Sequence, residues 1–301
     1  MNKIDQKTVY TIKALCADMI QKANSGHPGL PLGAAGFTHV LWSQVLNHSA
    51  KHPEWVNRDR FILSAGHGSS MLYSLLHLYG YGLTMDDLKQ FRQLGSLTPG
   101  HPEYGHTVGV DATTGPLGQG LGMAVGMAMG QAHLATVFNK PGYDLFDHYV
   151  YALAGDGCMM EGISSEALSL AGTLKLEKLI ILYDSNNISI EGNTNITFTE
   201  NVSDRVKAFG FETITVEDGD NLDEVLAALE KAKTIKGKPK FIEIKTTIGK
   251  DSPNEGSEST HGAPLGVNNV KALKEKLGLP QEEFYVPEEV YDYLASTQKR
   301  V

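Results

Sequence analysis

Two short apolar runs constrain this chain most. Residues 149–154 form one run, which stops at Gly155-Asp156-Gly157. Residues 179–183 form the other, which stops at Asp184-Ser185-Asn186-Asn187. Neither alternates polar with apolar positions, so both read as strands buried on both faces of a parallel sheet. Residues 159–172 between them carry a helical pattern. A strand–helix–strand unit points both strand ends the same way, and ligands of open α/β sheets bind just beyond those ends. The Asp156 carboxylate and the Asn186 amide oxygen would converge there. Hard oxygen donors of this kind suit Mg²⁺ or Ca²⁺ better than zinc. A plain turn and cap is the alternative.

The flanking sequence repeats the alternation of helix and strand. A helix is expected from Asp5 to Ala23, ended by the breakers Asn24 to Gly29, and another opens at Pro31 and runs to about Leu46. Residues 60–63 read as a strand and residues 70–79 as a helix, and Thr84 with Asp87 caps a further one. Residues 94–116 show no periodicity, and a loop of that length in a compact domain is usually functional or disordered. Strands follow at 213–216 and 241–246, with a capping box of Asn221 and Glu224 starting the helix between them. Ile242 and Ile244 alternate with Glu243 and Lys245, which places that strand near an edge of the sheet. Residues 249–259 read as a mobile loop, and 267–277 as a last amphipathic helix. The expected fold is a doubly wound α/β domain, a mainly parallel sheet with helices on both faces.

The 301 residues suffice for one large domain, and a net charge of −9 argues against nucleic acid or an anionic membrane as partner. Two distant cysteines, Cys16 and Cys158, and an N-terminus without a signal-peptide core fit a cytoplasmic protein. Residues 112–139 contain no Asp, Glu, Lys or Arg, long enough to span a membrane, but Gln119, Gln131 and His133 interrupt them and Gly and Ala dominate. Gly118, Gly122, Gly126 and Gly130 recur every four residues, so one helix face is bare backbone, suited to close packing in the core or against another subunit.

Four histidines, His27, His67, His101 and His261, sit in loops flanked by glycine or proline rather than on helix faces. Neutral imidazoles there can hydrogen-bond hydroxyls or phosphate oxygens and move protons near neutral pH. A zinc site is the rival reading, without close ligand spacing or a cysteine partner. The other seven, His39, His48, His52, His77, His106, His133 and His148, are taken as structural. Gly120-Leu121-Gly122 with Gly126 imitates a dinucleotide loop but lacks the strand that should immediately precede it.

Several strings together resemble transketolase, in order and spacing, over nearly the whole chain. They are Ser25-Gly26-His27-Pro28-Gly29, Arg58-Asp59-Arg60-Phe61, Ser64-Ala65-Gly66-His67, Gly100-His101-Pro102-Glu103, Thr113-Thr114-Gly115-Pro116-Leu117-Gly118-Gln119-Gly120, Gly155-Asp156-Gly157 with Glu161-Gly162, and His261-Gly262-Ala263-Pro264. The resemblance implies a thiamine-diphosphate enzyme. Asp156, Asn186 and the Ile188 carbonyl would hold Mg²⁺ or Ca²⁺; His67, Gly157 and His261 would contact the diphosphate; Gly115 and Leu117 would lie beside the thiazolium. His27, His101 and His261 would handle the sugar's hydroxyls and proton transfers, and Glu161 and Glu166 would face a partner subunit.

The resemblance covers only the family's first domain, residues 1–301 with an extension from about 267, without the pyrimidine-binding and C-terminal domains. It implies the N-terminal subunit of a split transketolase, active on sugar phosphates with a C-terminal subunit, as a heterotetramer. Gly249-Lys250-Asp251-Ser252 departs from the family's usual aromatic and glycine before the serine. Another thiamine enzyme for an unusual sugar phosphate, or a non-catalytic cofactor-binding module, are the alternatives.

Overall fold

A computed structural model describes residues 1–298. Five parallel strands, β1 (Arg60–Leu63), β2 (Val150–Gly155), β3 (Leu179–Ser185), β6 (Glu212–Val216) and β7 (Lys240–Lys245), form one sheet in the order β1-β2-β3-β7-β6. Two short strands, β4 (Ile188–Ser189) and β5 (Gly192–Asn193), make a separate antiparallel hairpin just after β3. Every residue of β2 and β3 is buried, as the unbroken apolar runs require. The strand β7 lies next to the edge and β6 is the edge itself; Glu243 is only half-exposed, held by the hydroxyls of Ser185 and Ser203.

Helices cover the sheet in two groups. The first comprises α1 (Lys3–Ala23), α2 (Gly29–Val40), α3 (Ser69–Leu78), α4 (Met85–Lys89) and α9 (Leu222–Thr234). The second comprises α5 (Gln119–Phe138), α6 (Asp156–Met160), α7 (Gly162–Thr173) and α8 (Val202–Ala208). Both α10 (Val267–Lys276) and α11 (Glu288–Thr297) pack on α1.

Local chemistry moves several boundaries. Asn2 and Asp5 make a capping box, so α1 begins before Asp5. Pro28, not Pro31, stands at the head of α2, and Pro31 falls in its first turn, where a missing N–H costs nothing. A π-helical turn, Leu41–Val45, carries that helix to its expected end. The capping box of α9 is only half made. Asn221 accepts from the Glu224 N–H, but the Glu224 carboxylate takes the Glu217 N–H instead, at 2.7 Å.

The loop at 249–259, expected to be mobile, is tied down. The buried Lys13 ammonium reaches Asp251 at 2.7 Å, and the Gly249 N–H donates to Gly29 O at 2.9 Å. The departure at Lys250-Asp251 therefore supplies an anchor to α1.

Helix α5 is the one helix among the described residues long and apolar enough to cross a membrane, with 28% of its most apolar window buried. Its inner side packs on β1, β2 and α7. Gly120 permits that approach: a Cβ there would lie 2.5 Å from Ser64 Cα. This packing is the role of a glycine that imitates a dinucleotide loop. Gly126 and Gly130 have nothing within 4 Å of where a Cβ would stand. The outer side leaves Met123, Met129, Val137 and Phe138 exposed, as are Leu170 of the adjoining α7 and Leu174 at its C-cap.

Candidate functional site

A cleft of about 390 Å³ opens at the carboxyl ends of β2 and β3. His27, His67, His101, Gly115, Leu117, Asp156, Gly157, Asn186, Ile188 and His261, all singled out from the sequence, line it. Leu30, Ile190 and Ile248 add apolar wall, and Glu161 reaches its rim. Glu166 is exposed on α7.

The corner after β2 and β3 is built by the strand ends. Asp156 Oδ2 accepts the backbone N–H groups of Asn187 at 2.9 Å and Asn186 at 3.3 Å, and Tyr183 donates its hydroxyl to Oδ1. The left-handed backbone of Asn187, φ 60°, lets two successive N–H groups meet one oxygen. Asn186 Nδ2 donates to Asp184 Oδ2 at 2.9 Å, while its Oδ1 accepts the Ile188 N–H at 3.0 Å. Thr246 donates its hydroxyl to the other Asp184 oxygen. Asp184 was not singled out from the sequence, although an Asp closing an unbroken apolar run is a signal that it is buried.

Burial raises the pKa of Asp156, and burial with the Asp156 charge pushes that of Asp184 up to about 7. Among the described residues no lysine or arginine pairs with either carboxylate. Two buried carboxylates without a cationic partner, beside an amide oxygen, suit a hard divalent ion. The helix expected at 159–172 is broken at Glu161, whose extended backbone (ψ 139°) separates α6 from α7 and leaves its side chain at the cleft.

The four loop histidines meet as a cluster of rings. His27 lies 5.2 Å from His67, 5.8 Å from His261 and 6.3 Å from His101, centroid to centroid, and His67 and His261 stack at 5.3 Å. Gly115 lets the loop close on them; a Cβ there would stand 3.3 Å from the His101 ring, and its φ of 150° favours glycine. Burial depresses all four imidazole pKa values, with neighbouring charge adding to the effect on His27, His67 and His101. His27 is taken down to about 4. At neutral pH the cluster is uncharged and presents donors and acceptors. Among the described residues no three His, Cys, Asp or Glu side chains are placed to share a metal ion.

The remaining histidines have structural partners where any is seen. His39 meets Asp5, His48 meets Tyr81 and the Trp42 carbonyl, and His77 meets Tyr291. Cys158 is a packed small residue that accepts from the Ser64 hydroxyl at 3.6 Å. Arg92, which nothing in the sequence marked, also reaches the cluster: it stands just before the aperiodic stretch 94–116, far in sequence from His27, to which it donates.

An oxygen-rich corner and a neutral histidine cluster at the strand ends of an α/β sheet stand where domains of this class bind their ligands. The family model for "Transketolase, thiamine diphosphate binding domain" matches residues 4–301. The chain is 56% identical over 298 residues to the transketolase of Geobacillus stearothermophilus, covering 98% of this chain and 45% of that one. Its fold superposes on the transketolase from Leishmania mexicana with a TM-score of 0.97 at 50% identity, covering 99% of this chain and 44% of that one. The transketolase from Pichia stipitis in complex with sedoheptulose-7-phosphate gives a TM-score of 0.97 at 47% identity, over 98% and 44%. The chain belongs to the transketolase family, as its thiamine-diphosphate-binding domain. It spans about 45% of the length of the curated relatives it matches.

Proposed function

We propose that this chain supplies the diphosphate half of a transketolase active site and works with a C-terminal transketolase subunit that carries the pyrimidine half. The reaction is reversible transfer of a two-carbon ketol unit between ketose and aldose phosphates. The observation that carries the reading is the convergence on one cleft of every residue expected to meet the metal, the cofactor or the sugar. Asp156, Asn186 and the Ile188 carbonyl would hold Mg²⁺ or Ca²⁺, and His67, Gly157 and His261 would contact the diphosphate. Thiamine diphosphate, when bound, supplies a carbanion and an electron sink. The chain's part is to orient and to handle protons. Gly115 and Leu117 border the thiazolium, and His27, His101 and His261 hydrogen-bond the sugar's hydroxyls and move protons there.

Support for a partner comes from the apolar outer side of α5 and α7, with Glu161 and Glu166 at its edge. We read residues 1–301 as one domain with an extension from about 267, and the assembly as a heterotetramer. The cytoplasm is the proposed location, in keeping with two buried free thiols. The test assays ketol transfer from xylulose 5-phosphate by the chain with thiamine diphosphate and Mg²⁺, alone and with a C-terminal transketolase polypeptide. Activity only in the mixture is expected. Full activity of the chain alone, or none with the partner despite cofactor binding, would overturn the reading.

A further inference from the structure

Among the described residues, the guanidinium of Arg92 touches the histidine cluster. Its Nη2 lies 3.1 Å from His27 Nδ1, and its Nη1 donates to Ser25 Oγ at 2.9 Å. A guanidinium carries only donors, so the ring nitrogen facing it must accept. We propose that Arg92 is a positioning residue that fixes His27 in the tautomer with its hydrogen on Nε2, making His27 a neutral donor to the cleft. This rests on the function proposed above for what the donor meets there, a substrate or diphosphate oxygen.

The arginine is itself held. Its backbone is left-handed, φ 62°, and its N–H donates to Thr98 O at 2.9 Å. The guanidinium lies 5.7 Å from the Phe91 ring centroid, and Gly100 leaves it room: a Cβ there would come within 3.2 Å of Nε. No carboxylate pairs with Arg92 among the described residues, so its charge is turned on the ring it touches. On its other sides His27 faces His67, His101 and His261, and Nε2 lies near Gly262, where a Cβ would come within 3.5 Å of it. None of these is a carboxylate that would draw a second proton onto the ring.

The experiment is long-range ¹H–¹⁵N NMR of the full chain with ¹⁵N-labelled histidine, His27 being assigned by its absence in His27→Gln. The expected spectrum shows Nε2–H with a bare Nδ1, unchanged from pH 8 down to about 5. In Arg92→Met the tautomers mix and the His27 titration midpoint rises by about one pH unit or more, as loss of a neighbouring charge requires. Arg92→Lys keeps the charge and restores the low midpoint. An Nδ1–H tautomer in the native chain overturns the proposal, and so does a folded Arg92→Met chain with unaltered tautomer and midpoint. If Arg92→Met does not fold, the native tautomer alone decides. No readout depends on catalysis, so failure here and failure of the ketol-transfer assay are separate results.

Discussion

The cleft at the strand ends and the outer side of α5 and α7 are two surfaces of opposite construction. In the cleft, polar side chains are held by one another or by the backbone: Asp156 by two N–H groups and a tyrosine, Asn186 by Asp184 and Ile188, His27 by Arg92. Among the described residues the outer side shows no such network, only hydroxyls such as Thr136 and Thr173 turned back on their own helix. It presents Met123, Met129, Leu170 and Leu174 between 38% and 46% exposed, and glycines with nothing against them. The first surface is preorganised for a small polar ligand, where small displacements cost affinity. The second can gain only from apolar area covered, the kind of gain an interface between polypeptides gives.

The contrast can be broken at its strongest point first. Asp156→Ala is expected to weaken metal-dependent thiamine diphosphate binding by about 100-fold or more while the fold persists. Titration calorimetry with and without Mg²⁺ measures it, and an unchanged Kd removes the metal assignment. Acid sharpens the difference next. His27 has its pKa lowered in the fold from 6.5 to about 4, so the unfolded chain takes up the proton first. Its contribution is complete above about 6.5 and is lost as pH falls through about 4. Urea unfolding at a series of pH values should show a shallower acid loss for His27→Gln and an unaltered one for Leu170→Asp on the outer side.

Helix α5 carries the comparison on its own glycines. Gly120→Val drives a Cβ into the backbone of Ser64 and is expected to cost about 3 kcal/mol of stability, against a change within about 0.5 kcal/mol for Gly126→Val, which meets nothing. Equal shifts in the denaturation midpoint would mean that the two positions are packed alike. Leu170→Asp should weaken association with a C-terminal subunit by about tenfold in sedimentation titrations, leaving cofactor binding alone. Last is Gly126→Ala, which should stabilise the lone chain by up to about 1 kcal/mol in the same denaturation assay.

The strands and their ends were legible because buried parallel strands admit only apolar residues, so the run itself marks where it stops. The four histidines were legible for a different reason: each stands among glycines or prolines, where no helix face accounts for it. Other features were not legible. Glu224 has the spacing of a capping partner, yet its carboxylate goes to Glu217, because a neighbouring strand end offered a closer donor. The loop at 249–259 has a mobile composition, yet Lys13 holds it through Asp251, a contact across 238 residues.

By itself the sequence determined the alternation of strand and helix, the oxygen corner at Asp156 and Asn186, and the histidines of the cleft. All of these are set by residue type and local spacing. Only the tertiary structure decided which glycines of α5 are packed and which stand open, that Asp184 orients Asn186, and that Arg92 faces His27. Those depend on approaches between segments far apart in the chain, and periodicity carries no information about what lies across a gap of three ångströms.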